Sequence, residues 1–89
     1  MQWPYLEVTF RHGRPLAAYL YLPRAPGDKS RRSEQAGAGL VVDYTESGKA
    51  IGVEITAPEK VNIAELNRVL AGLQLPALKE ADVAPLRAA

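Results

Sequence analysis

Five residues near the middle of the chain have the spacing of a calcium loop. Asp43, Thr45, Ser47, Gly48 and Glu54 fall at positions 1, 3, 5, 6 and 12 of a D-x-D-x-D-G template with a distal glutamate. Calcium takes about six to eight oxygens, whereas this stretch offers one carboxylate at its start, two hydroxyls and a remote glutamate. Lys49 stands at the seventh position and brings positive charge to any ligand shell. Both flanks alternate apolar and polar residues as strands do, where a calcium-binding helix–loop–helix needs helices. The spacing predicts a hairpin turn, with weak metal or small-ligand binding at residues 43–54 as the lesser alternative.

Catalytic chemistry finds less support. His12 is the only histidine and has no acidic neighbour in sequence. Ser30, Ser33 and Ser47 lack a nucleophile-elbow pattern. Gly37-Ala38-Gly39 precedes a strand-like run, so no helix N-terminus follows it to hold a phosphate. The absence of cysteine excludes a disulfide framework, thiol catalysis and thiolate metal sites together. The expectation is a protein that binds and does not catalyse, with no cofactor and no metal.

Arg24, Lys29, Arg31 and Arg32 are the candidate contacts for an anion or a nucleic acid. Asp28 and Glu34 offset them to +2, and no aromatic residue lies among them to stack on a base. The formal net charge is only +1, so no global field points at nucleic acid or anionic lipid. Nucleic-acid binding through residues 24–32 is therefore an alternative and not the leading reading. The charge is uneven, however: residues 1–35 carry six Lys/Arg against three Asp/Glu, and residues 36–89 carry five against seven.

The elements that must position these residues follow from periodicity. Leu6, Val8 and Phe10 alternate with Tyr5, Glu7, Thr9 and Arg11, and Leu16, Ala18, Leu20 and Leu22 alternate with Ala17, Tyr19 and Tyr21. Strands are expected over about 5–11 and 16–22, joined by the turn His12-Gly13-Arg14-Pro15. Pairing Phe10 with Leu16 gathers the apolar positions on one face and sets Tyr5 opposite Tyr21. Residues 23–37 hold Pro, Gly, Ser and charge without periodicity, and read as a long mobile basic loop.

Strands resume over about 39–44 and 49–57, with Leu40, Val42, Tyr44, Ile51, Val53 and Ile55 on one face and Asp43 and Glu54 turned away. Gly52, inside the second of these, predicts a bulge or a tyrosine lying over it. Pro58 ends the sheet. Asn62 caps a helix over about 62–73, with Glu65 three residues on and Ile63, Leu66, Val69, Leu70 and Leu73 as its apolar stripe. A short helix over about 77–84 precedes Pro85. The fold class is α+β: a four-stranded antiparallel sheet of two hairpins, with a C-terminal helix packed on one face, in one domain spanning residues 1–89.

Val42 to Ile55, V-D-Y-T-E-S-G-K-A-I-G-V-E-I, resembles the core of a small bacterial and archaeal family called domain of unknown function 2283. Asp43, Tyr44, Gly48, Gly52, Glu54 and Ile55 carry the match, with Val53 where isoleucine is usual. Ala17 to Leu22, A-A-Y-L-Y-L, looks like the family's second strand, so the resemblance spans about residues 5–57. Members usually carry acidic residues around the first turn, where this chain has Arg11, His12 and Arg14. The resemblance implies a fold, and it hints at an antitoxin-like partner of a small toxin, since some members are encoded beside toxin-like proteins.

The face opposite the apolar one gathers Tyr5, Tyr19, Tyr21, Asp43 and Glu54, with Trp3 close by. Tyrosine and tryptophan bury large areas at low entropic cost, which makes this the expected interaction face. The function expected is a protein-interaction module, with a protein partner or a second copy as homodimer. No apolar run approaches the roughly 20 residues a membrane helix needs. No signal-peptide pattern opens the chain, so a cytoplasmic protein with no membrane partner is expected.

Overall fold

Two tight hairpins and one strand that the sequence conceals build the sheet of this protein. The computed structural model describes residues 4–87; Trp3, expected on the interaction face, lies outside them. The strands are β1 (Tyr5–Arg11), β2 (Arg14–Tyr21), β3 (Arg32–Gly37), β4 (Leu40–Tyr44) and β5 (Ala50–Ile55). They form one antiparallel sheet in the order β1-β2-β5-β4-β3. A 3-10 turn at Pro58–Lys60 leads to α1 (Ile63–Gly72), then α2 (Glu80–Val83) and a last 3-10 turn at Ala84–Arg87.

The sheet has five strands and not the expected four. β3 lies inside the segment expected to be a mobile loop and pairs along β4 from Arg32↔Tyr44 to Gly37↔Leu40. Its sequence, R-S-E-Q-A-G, shows no alternation because it is an edge strand exposed along nearly its whole length. A strand with no buried face leaves no period-2 signature. The rest of the segment is pinned: Asp28 accepts from Ala25 N–H at 2.9 Å and from Lys49 Nζ at 2.8 Å, and Arg31 N–H donates to Tyr44 O at 2.8 Å.

The first hairpin also departs from expectation at one end. Tyr5↔Tyr21 through Thr9↔Ala17 pair in the predicted register, but Phe10 faces Pro15, not Leu16. His12 (φ 53°) and Gly13 (φ 77°) form a two-residue turn with both residues left-handed. That is the hairpin geometry matching strand twist, and it closes on Arg11↔Arg14. The tight turn and the tyrosine end demand registers one residue apart, so the strand bulges and ejects Leu16. Leu16 is left 51% exposed and Phe10 46% exposed, although the alternation predicts both on the core face.

The core lies between the other sheet face and the C-terminal elements. Ala18, Leu20, Leu22, Leu40, Val42, Val53 and Ile55 from the sheet meet Val61, Leu66, Leu70, Val83 and Leu86. Each such leucine or isoleucine removed from water contributes about 1.5–3 kcal/mol. Asn62 Oδ1 accepts from Glu65 N–H at 2.8 Å, the predicted cap, and α1 points Leu66 and Leu70 into the core. Asn67 grips the chain beyond Pro76, donating to Leu78 O at 3.1 Å and accepting from Leu78 N–H at 2.8 Å. The second helix begins at Glu80, later than expected, and the chain stays helical past Pro85 as a 3-10 turn.

Candidate functional site

Strand alternation places two rows of side chains on the face away from the helices. One row crosses Tyr5, Tyr21, Gly52, Asp43 and Ser33; the next crosses Glu7, Tyr19, Glu54, Val41 and Gln35. Five of the six residues expected on an interaction face therefore meet there: Tyr5, Tyr19, Tyr21, Asp43 and Glu54. Both helices lie on the opposite face, with the core between.

The tyrosines pack on one another. Tyr5 and Tyr21 stack with centroids 4.6 Å apart and planes 15° apart, and Tyr19 meets Tyr21 edge-on at 4.7 Å and 67°. Both are preferred aromatic geometries. The Arg24 guanidinium lies over the Tyr21 ring, 5.4 Å from its centroid, and donates through Nη2 to Ile51 O at 2.9 Å. Tyr21 Oη donates to Glu7 Oε1 at 3.3 Å.

Tyr19 reaches furthest across the sheet. Its ring passes over Gly52, where a methyl group would overlap the ring carbons and the hydroxyl, so the strand glycine makes room for an aromatic lid. The hydroxyl donates to Asp43 Oδ2 at 2.8 Å, and Ser33 Oγ donates to Asp43 Oδ1 at 2.6 Å. Asp43 faces the outer side of the sheet, yet Tyr19 and Ser33 leave it only 5% exposed. Burial first, and then the hydrogen bond and charge of Asp43, push ionisation of Tyr19 well above the usual tyrosine range. Asp43 also holds the Glu54 carboxyl above its ordinary value, first through a shared hydrogen bond, with burial second and repulsion third. The carboxylates thus form an ordered pair, one buried and doubly hydrogen-bonded, the other protonating more readily.

The remaining candidates are dispersed. Thr45 and Ser47 spend their hydroxyls on the turn: Thr45 Oγ1 lies 3.0 Å from Ser47 Oγ and accepts from Lys49 N–H at 3.1 Å. Asp43 points away to Tyr19 and Ser33, so the calcium-template residues do not converge. Among the described residues no three of His, Cys, Asp and Glu cluster as a metal site would require. The four basic candidates separate as well. Arg24 is committed to the tyrosine face, while Arg32 lies 4.6 Å over the ring of Tyr44, which packs against the core, and pairs with Glu34 at 2.9 Å. Lys29 and Arg31 are exposed and line an open hollow of about 400 Å³ with Thr45, Glu46 and Ser47.

Ser33 and Arg24 are the site residues that sequence reasoning placed elsewhere, the first among loop serines and the second in a basic loop. Only knowledge of β3 could have set Ser33 beside Asp43, and β3 carried no pattern.

Residues 17–57 match the model of a family described as Protein of unknown function (DUF2283), the family that the hairpin sequence resembles. The matched stretch begins within β2 and ends beyond β5, leaving β1 and the helices outside it. No curated protein and no solved structure matches the chain. Among the described residues no helix is long and apolar enough to cross a membrane.

Proposed function

We propose, for a chain whose residues 17–57 match the model of a family of unknown function, that the outer sheet face docks a protein segment bearing arginine or lysine. One observation carries the reading. Three mutually packed tyrosines and the carboxylates of Glu7, Asp43 and Glu54 share a face that neither helix covers.

Pre-packed aromatic rings lose little freedom on binding, which is why such residues dominate interface energetics. Arg24 already illustrates the chemistry by setting its guanidinium against Tyr21. Around the rings Glu7, Asp43 and Glu54 outnumber Arg24, while Arg11 and Arg14 lie at the turn end of the first hairpin, so the tyrosine end of the face is complementary to a basic partner, and a small basic toxin is one partner of that kind. The arrangement favours binding over catalysis, because both oxygens of its most buried acid already accept hydrogen bonds within the fold.

Affinity capture with wild type and with a Tyr5→Ser/Tyr21→Ser variant tests this. A partner held by the wild type and lost by the folded variant supports the reading. Equal retention by both overturns it.

A further inference from the structure

The free edge of β1 is built to meet itself. Tyr5 and Tyr21 pair, Leu22 N–H donates to Ile51 O, and the two-residue turn closes on Arg11 and Arg14. Even-numbered residues of β2 therefore turn their backbone groups toward β5, and odd-numbered residues of β1 turn theirs toward β2. Leu6, Val8 and Phe10 are left with N–H and C=O groups pointing outward from the sheet. The opposite edge is unlike this one: β3 carries the Arg32–Glu34 ion pair and an irregular register between Gln35 and Gly37, features that discourage edge pairing.

Two further features lie at opposite ends of β1. At one end Phe10 is 46% exposed. At the other, beside Leu6, an apolar groove of about 450 Å³ is lined by residues that include Pro4, Leu20, Pro76, Ala77 and Leu78.

We propose that β1 pairs antiparallel with β1 of a second copy, Val8 opposite Val8 on a two-fold axis. In that register Leu6 faces Phe10 of the other copy, Glu7 faces Thr9, and Tyr5 faces Arg11. Each exposed Phe10 is carried into the groove beside the other copy's Leu6, the reciprocal contact that two-fold symmetry requires. Tyr5 meets the guanidinium of Arg11 across the axis. Glu7 stands diagonal to both Arg11 and Glu7 of the second copy, so the charges do not simply oppose. The two five-stranded sheets become one sheet of ten, in which Arg11 of the second copy covers the Tyr5 and Glu7 edge of the outer face and leaves Tyr19, Tyr21 and Glu54 uncovered. Self-pairing is read with no partner added, so its failure is distinguishable from failure of docking on the outer face.

Light scattering across a dilution series reads the oligomer directly. The wild type should show a doubled mass that dissociates on dilution. Phe10→Lys should raise the dissociation constant by roughly a hundredfold, since two phenylalanines leave apolar contact. Val8→Pro, which removes an outward N–H and leaves the β1–β2 bonds intact, should be monomeric. Because the chain has no cysteine, Val8→Cys should also form a disulfide-linked dimer under mild oxidation, much faster than Leu16→Cys. A wild type monomeric at every concentration overturns the proposal. So does a dimer that survives Phe10→Lys unchanged, or equal cross-linking of the two cysteine variants.

Discussion

Tyr19 lies across Gly52, its diagonal neighbour on β5, and places its hydroxyl 2.8 Å from Asp43 on the strand beyond. One side chain thus spans three strands, and the glycine is what allows it. Removal of the side chain at position 52 and extension of the one at position 19 are two halves of a single arrangement.

The two positions should be energetically coupled. Gly52→Ala should destabilise the wild type by about 1.5–3 kcal/mol, because the displaced ring gives up a hydrogen bond to a charged group. In a Tyr19→Thr background the same change should be neutral, or stabilising by about 0.5–1 kcal/mol as alanine normally is over glycine in a strand. A double-mutant cycle by urea denaturation measures the coupling.

Asp43 should be the most sensitive polar position on the face. Tyr19→Phe and Ser33→Ala each remove one donor and should each cost about 1.5–3 kcal/mol. Asp43→Ala strands both donors and should cost more than either. Chemical denaturation of the three variants checks the order.

Glu54 gives the face a pH dependence of definite sign. Its carboxyl binds protons more tightly in the folded chain than in the unfolded one, with Asp43 the leading cause. Its contribution to stability is therefore full below the ordinary carboxylate range and is lost as pH rises through the elevated folded value. Glu54→Gln should remove that decline and stabilise the protein at neutral pH by about 0.2–1 kcal/mol, the scale of a cross-strand charge pair. Thermal melts between acid and neutral pH make the comparison.

Tyr19 supplies the alkaline counterpart. It resists ionisation in the fold through burial and through Asp43. It should stay protonated as pH passes the ordinary tyrosine range, and stability should be lost from there upward. Ultraviolet titration should show one tyrosine ionising only as the protein unfolds, and Tyr19→Phe should abolish that late step.

What the sequence made legible was mostly whatever had a buried partner. The alternation around Leu20, Val42 and Val53 and the Leu66–Leu70 stripe face the core, and burial imposes their period, whereas the exposed Asn62 cap was legible from its local spacing to Glu65. Gly52 could be read as needing cover because a strand glycine is anomalous. β3 could not be read, since an edge strand with neither face buried obeys no alternation. Leu16 misled because an apolar residue in phase with its neighbours looks buried, while the His12-Gly13 turn shifts the register by one and expels it. The tyrosine face was legible as composition. Its wiring was not, because Ser33 joins Asp43 only through β3.

The outer face of the sheet is the proposed binding surface. Amide chemical shifts of isotope-labelled protein, recorded while a short arginine-rich peptide is added, test it most directly. Saturable shifts confined to Tyr5, Glu7, Tyr19, Tyr21, Gly52 and Glu54, weakened by added salt, are the predicted result. Shifts concentrated at Lys29 and Arg31, or none at peptide concentrations that saturate weak sites, would contradict it.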